Sequence, residues 1–294
     1  MTTPAHIGPS PALLASPLAQ PVPGFAPLWF RHEMVGAVSP DWLAHLDPRL
    51  FKLGPEGADG LPEVRIRGGD RRSESGLVPT ATLDRWLQEW AEALQGQGLL
   101  PGWRGESVRI YGAREAEPLF SVERALLRPL GLLLRSVQVN VFTIEDKRPR
   151  IWIARRAAHK PVDGGKLDAL VGGGIVGDET PLETLVRECA EEAGMDRAMA
   201  RRAVPVGVID SVRAANDGAA RVLHRERLTL YDLRVPPDFT PHPADGEIAE
   251  LHCLSPRRVQ ESLQADAWSV EGAWATRDLL SRHLDAGGSP LVTQ

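Results

Sequence analysis

Cys189 and Cys253 are the only cysteines in this 294-residue chain. Two are too few for a disulfide framework and fit a reducing compartment; both read as small apolar core residues. No apolar run approaches the roughly 20 residues needed to cross a bilayer, the longest candidate being the short stretch Leu130 to Leu134. A basic excess is also missing: the net charge is −5 and the pI about 5.9. No overall positive field exists to hold nucleic acid or an anionic membrane surface, so neither is an expected partner. An anionic substrate must instead be captured by local cations or a metal. The first 29 residues, rich in Pro and Ala, contain no Lys or Arg. They lack the positive segment of a secretory signal, and residues 1–27 are expected to form a mobile arm of a cytoplasmic protein. No internal repeat is visible.

With 43% hydrophobic and 25% charged residues, the chain can bury a full core and has room for two domains. Residues 28–130 mix short apolar runs with Gly/Pro punctuation. A helix is expected from Asp41, after the Ser39-Pro40 cap, and a second over Thr82 to Leu94, where Leu83, Trp86, Leu87, Trp90 and Leu94 form one stripe. Trp86 and Trp90 read as core anchors. With a strand over Ser107 to Tyr111, this region reads as a small α+β domain.

Residues 131–284 read as a second domain, followed by a tail over 285–294. Val137, Val139, Val141 and Thr143 alternate with Gln138, Asn140 and Phe142, as a strand with two distinct faces requires. Further strands are expected at Arg150–Ala154, Val204–Asp210, His224–Leu233 and Glu247–Leu254, and one or two helices after Ser255-Pro256. A helix from Pro181 to Ala193 is opened by Thr180 and closed by Gly194.

That helix carries the chemistry. Glu188, Glu191 and Glu192 stand at i, i+3 and i+4, so their carboxylates project within reach of one point. Three like charges so close repel one another unless a cation neutralises them, and a hard divalent ion such as Mg²⁺ suits an all-carboxylate set. Leu182, Leu185, Val186, Cys189 and Ala193 form the opposite face, which is expected to pack on a sheet. Arg187 and Glu179, eight residues apart, can join the preceding loop to the helix through an arginine fork. Arg155, Arg156 and Lys160, between the second strand and the glycine loop, are placed to meet phosphate oxygens. Glu247, after the Asp245-Gly246 turn, can overhang the same site as a second base, and Asp168 can support the loop by hydrogen bonds.

Gly173, Glu179, Arg187, Glu188, Glu191, Glu192 and Gly194, with apolar Cys189 and Met195, resemble the Nudix box G-x5-E-x7-R-E-U-x-E-E-x-G-U at every defined position. The resemblance implies an α/β/α sandwich with a mixed sheet, following the N-terminal α+β domain, so that the whole chain is α+β. It implies a hydrolase of diphosphate bonds that uses Mg²⁺, with Mn²⁺ able to substitute. Glu188, Glu191, Glu192 and the Gly173 carbonyl are then the metal ligands, Glu192 helps activate water, and Glu179 and Arg187 orient them.

The surroundings are similar to a Nudix subfamily with an extra N-terminal domain, found fused to thiamine pyrophosphokinase in some fungi. The matching features are Trp103-Arg104 with Glu106, Val122-Glu-Arg-Ala, Trp152-Ile-Ala-Arg-Arg with Lys160, Gly165-Lys-Leu-Asp168, and Tyr231-Asp-Leu through Asp238-Phe239 to Asp245-Gly-Glu247. This resemblance implies a house-cleaning role in cofactor damage, hydrolysing thiamine diphosphate and its oxo and oxy forms to the monophosphate and phosphate. The chain departs from it in having Gln138-Val-Asn140-Val-Phe142 where the subfamily usually shows His-x-Asn-Gly-Tyr, and in a short region before Arg225-Glu226. Val139, Val141 and Phe142 are expected to offer an apolar wall that favours the neutral oxo ring over the cationic thiazolium.

Three other readings compete. An ADP-ribose or NADH pyrophosphatase shares the box. An isopentenyl-type diphosphate isomerase needs a catalytic cysteine that neither Cys189 nor Cys253 is placed to supply. An inactive binding module should have lost a box glutamate or Arg187, and none is lost. The N-terminal domain and terminal helices offer surfaces for a homodimer.

Overall fold

The computed structural model describes residues 20–67, 80–112, 117–160, 162–244, 246–265 and 267–284. Residues 1–19 of the expected arm, the tail 285–294 and Asp245 lie outside them. The chain divides into two compact units, the first comprising residues up to Leu134 with Val176–Asp178 and Asp210–Glu226, the second the remainder.

The first unit holds a four-stranded mixed sheet of β1 (Ala26–Phe30), β2 (Glu33–Val38), β3 (Phe51–Glu56) and β4 (Pro62–Ile66), ordered β2-β1-β4-β3 with β1 and β4 parallel. The end of the expected arm already belongs to this unit, since Phe25 and Ala26 are buried. The helix expected from Asp41 is a single turn, α1 (Pro40–Leu43), which buries Trp42; the Ser39 hydroxyl donates to the Arg221 carbonyl at 2.6 Å and does not cap it. In α2 (Thr80–Gly96), Leu83, Leu87, Trp90, Ala91 and Leu94 are buried, but Trp86 is 39% exposed. At 100° per residue Trp86 stands about 60° off the Leu83–Leu87–Trp90 stripe, at the margin of the buried face. The hairpin of β5 (Ser107–Tyr111) and β6 (Pro118–Glu123) completes the unit. Glu106 pairs with Arg124 at 2.5 Å, and the Glu123 carboxylate accepts from Arg104 N at 3.4 Å, so these motif residues fasten the end of the hairpin.

The second unit is built on a seven-stranded sheet. Its strands are β7 (Leu133–Glu145), β8 (Arg148–Arg156), β9 (Leu167–Ala169), β10 (Val171–Gly174), β11 (Val204–Asp217), β12 (Ala220–Arg234) and β13 (Ile248–Leu254), of which β11 from Asp210 and β12 up to Glu226 fall in the first unit. The order is β11-β12-β7-β8-β13, with β10 on β7 and β9 on β8. α3 (Pro181–Ala193), followed by the short α4 (Arg197–Ala200), shares a core with Val137, Val139, Val141 and Ala154. α5 (Pro256–Ser262) and α6 (Val270–Leu284) share another with Phe142, Ile151 and Ile153. The alternation along β7 and β8 sends odd and even residues to opposite cores, which makes the α/β/α layering. This placement corrects the expected apolar wall: Val139 and Val141 fill the α3 core and Phe142 the other, so the three do not share a face.

Candidate active site

Local sequence sets the bounds of α3. Thr180 and Glu183 form a reciprocal capping box, Pro181 takes the first turn, and Gly194 ends the helix at φ 64°. Leu185, Cys189 and Ala193 are fully buried against the sheet, while Leu182, in the first turn, is 39% exposed and so lies off the packing face assigned to it. Burial in apolar surroundings pushes the Cys189 thiol up to about 12, as suits a core residue.

Arg187 gathers the acids of this helix. Its Nε and Nη2 bind Glu179 Oε1 and Oε2 at 2.8 and 3.0 Å, a two-pronged fork, and Nη1 reaches Glu188 Oε1 at 2.8 Å and Glu191 Oε2 at 3.1 Å. These hydrogen bonds, the one to Glu179 foremost, hold the guanidinium charged well above its ordinary range. Thr184, buried on the helix, donates to Glu179 Oε2 at 2.8 Å.

β10 brings the glycine loop alongside α3. A side chain at Gly173 would run into the Glu188 carboxylate, so glycine at this position is what lets the carboxylate lie on the loop backbone. The Gly172 N–H donates to Glu192 Oε2 at 2.7 Å, and Glu192 is only 9% exposed. The three glutamates are thus not equivalent. Glu191 looks outward, whereas Glu192 sits at the border of the packed face, between its acidic and apolar neighbours.

The NUDIX domain profile matches residues 134–273. Nudix hydrolase 24, chloroplastic, of Arabidopsis thaliana is 32% identical over 191 residues, covering 65% of this chain and 51% of that protein. Nudix hydrolase 20, chloroplastic, of the same plant is 31% identical over 200 residues, covering 68% and 52%. An uncharacterised Nudix hydrolase, orf19, of Rhodococcus erythropolis is 31% identical over 164 residues, which cover 55% of this chain and 84% of its own length.

The chain belongs to the Nudix hydrolase family. It spans about half the length of the plant relatives it matches.

The donor set of the Nudix box fits a hard divalent ion. Glu188, Glu191 and Glu192 offer carboxylate oxygens, the Gly173 backbone lies against Glu188, and the Arg187 guanidinium bridges Glu188 and Glu191. Among the described residues, no helix is long and apolar enough to cross a membrane.

Each of the three expected phosphate-binding cations is matched with an acid. Arg155 pairs with Glu250 at 2.8 Å and donates to the Gly165 carbonyl at 3.0 Å. Arg156 pairs with Asp168 at 3.0 Å and donates to the Val162 carbonyl. Lys160 pairs with Glu247, whose carbonyl accepts from Ala157 N at 2.8 Å. Glu247 therefore stands beside the loop that carries Lys160. Sequence reading passed over Thr184, the third point of the Glu179 clamp, and Glu183, whose signal was the Thr-x-x-Glu spacing of a capping box. It also read Gln138 as a strand residue that departs from a motif, with no partner assigned.

Proposed function

We propose that this Nudix protein is a metal-dependent diphosphatase with water as the nucleophile. The observation that carries this reading is the Arg187 clamp. One guanidinium fixes Glu179 and reaches Glu188 and Glu191, beside a glycine loop that binds Glu192. Phosphoryl transfer depends chiefly on positioning and charge neutralisation, which a pre-formed carboxylate set serves. Glu188, Glu191, Glu192 and the Gly173 carbonyl are the groups that would hold Mg²⁺, or Mn²⁺ in its place. The ion, when bound, polarises the diphosphate and makes water more acidic. Glu192, nearly buried and fixed by a backbone N–H, is assigned to take the water's proton, with Glu247 as a second base. Arg155, Arg156 and Lys160 are assigned to the phosphate oxygens, while Arg187 and Glu179 hold the ligands in place.

For substrate we propose thiamine diphosphate and, preferentially, its damaged oxo and oxy forms, in a cytoplasmic house-cleaning role. This rests on the resemblance of the motifs outside the box, several of whose residues pair with one another here: Arg124 with Glu106, Arg156 with Asp168 and Lys160 with Glu247. The two free cysteines support a reducing setting. The test compares kcat/KM for oxothiamine diphosphate, thiamine diphosphate, thiamine monophosphate, ADP-ribose and NADH at one Mg²⁺ concentration. The oxo diphosphate should rank first and the monophosphate stay uncleaved. ADP-ribose turned over best would remove the thiamine substrate and leave the diphosphatase; cleavage of none of them would remove this whole substrate set.

A further inference from the structure

β7 is the central strand of its sheet, yet its even-numbered residues Ser136, Gln138 and Asn140 are polar and buried. A buried amide is retained at such a place only when its hydrogen bonds are met. Gln138 Nε2 donates to Asp168 Oδ1 at 3.1 Å. That bond fixes the direction of the other end of the amide. Gly172 is the register partner of Gln138 across the β7–β10 pair, and a Cβ on Gly172 would fall 2.5 Å from Gln138 Oε1. The amide therefore lies against the backbone of the very glycine whose N–H binds Glu192. Asp168 is held in turn by Arg156 at 3.0 Å, by its neighbour's N–H at 2.9 Å and by the Ser269 hydroxyl at the start of α6. The close packing of Gly272 against Asp168 secures the same corner.

We propose that Gln138 and Asp168 are positioning residues for the metal site: the chain Asp168–Gln138–Gly172 sets the height of the glycine loop and so the placement of Glu192 and the Gly173 carbonyl. This rests on the diphosphatase reading above. Neither side chain touches substrate or metal; both act through the Gly172 backbone. The arrangement also gives Arg156 a second duty, neutralising Asp168 beneath the loop.

The test is a Mn²⁺ titration of the metal-free full chain without substrate, for wild type, Gln138→Met and Asp168→Asn, followed by kcat and KM at saturating Mg²⁺. Gln138→Met keeps length and bulk and removes the donor, so it remains informative if Asp168→Asn fails to fold. Supporting groups around metal ligands typically govern affinity by about 10-fold or more. Gln138→Met is expected to weaken Mn²⁺ binding by about that factor and to raise the Mg²⁺ needed for half-maximal rate, with KM for the diphosphate unchanged once Mg²⁺ saturates. Mn²⁺ affinity within twofold of wild type in Gln138→Met, in a wild-type enzyme that binds Mn²⁺ and cleaves diphosphates, would overturn the positioning role alone. A wild-type chain that binds no Mn²⁺ would overturn the diphosphatase reading and this inference with it.

Discussion

Arg187 shows how a single side chain can organise a site made almost entirely of like charges. Its fork on Glu179 leaves Nη1 to serve Glu188 and Glu191, so the same group that joins loop to helix also offsets repulsion among the glutamates. Cys189 makes a contrasting point beneath it. Its thiol is pushed up to about 12 from an ordinary 9.0 because burial, and after it the charges of Glu192 and Glu188, disfavour the thiolate. A pKa raised in the folded state contributes stability that is complete below the unfolded value and is lost as pH rises from 9.0 towards about 12. Between pH 8 and about 10.5 this one group should cost the wild type about 2 kcal/mol. Cys189→Ala should lack that component, so the difference in urea-unfolding free energy between the two proteins should narrow by about that amount over the interval. A difference independent of pH would show that the thiol is not held neutral by the fold.

At the scale of elements, the bounds of α3 were legible and the glycine strands were not. Thr180, Pro181 and Gly194 are strong local signals, and the helix begins and ends where they place it. β10, by contrast, is Val-Gly-Gly-Gly, with little intrinsic preference for a strand; it pairs because β7 lies beside it in register. β1 to β4 carry too much Gly and Pro punctuation for the alternation to stand out, and β11 continues to Asp217 through residues such as Arg213 and Asn216 that show no apolar period. The acidic face of α3 was read as one surface, but Glu192 is nearly buried because it lies close to Cys189 and Leu185 around the helix. Removing the capping hydroxyl should loosen the start of the helix without touching Glu188, Glu191 or Glu192. Thr180→Ala is expected to lower stability by about 1 kcal/mol, seen as a lower denaturation midpoint at unchanged slope, with kcat within a few-fold of wild type. A loss of activity with no loss of stability would mean that the cap acts on the chemistry directly.

For the molecule as a whole, the box and the family match reside in the second half of the chain, where one dense motif is enough to read fold and family together. The first unit was legible as α+β, though not in its strand order, since nothing in the chain order announces the parallel pairing of β1 with β4. Substrate identity was carried by resemblance, because an organic group is read by scattered side chains that leave no periodic trace. α3 is seated by Leu185, Cys189 and Ala193, so the fold should be independent of the ion proposed for the acidic face. The decisive measurement is phosphate release from a diphosphate substrate by wild type and Glu192→Gln, with and without chelator, beside the melting temperature of each. Chelator should abolish wild-type activity, Mg²⁺ or Mn²⁺ should restore it, and melting temperatures should stay within a few degrees. Glu192→Gln should lose at least about 100-fold in rate, equivalent to roughly 2.7 kcal/mol. Near wild-type turnover by Glu192→Gln at saturating Mg²⁺, or wild-type turnover unaffected by chelator, would contradict the assignment of this helix face as the metal site.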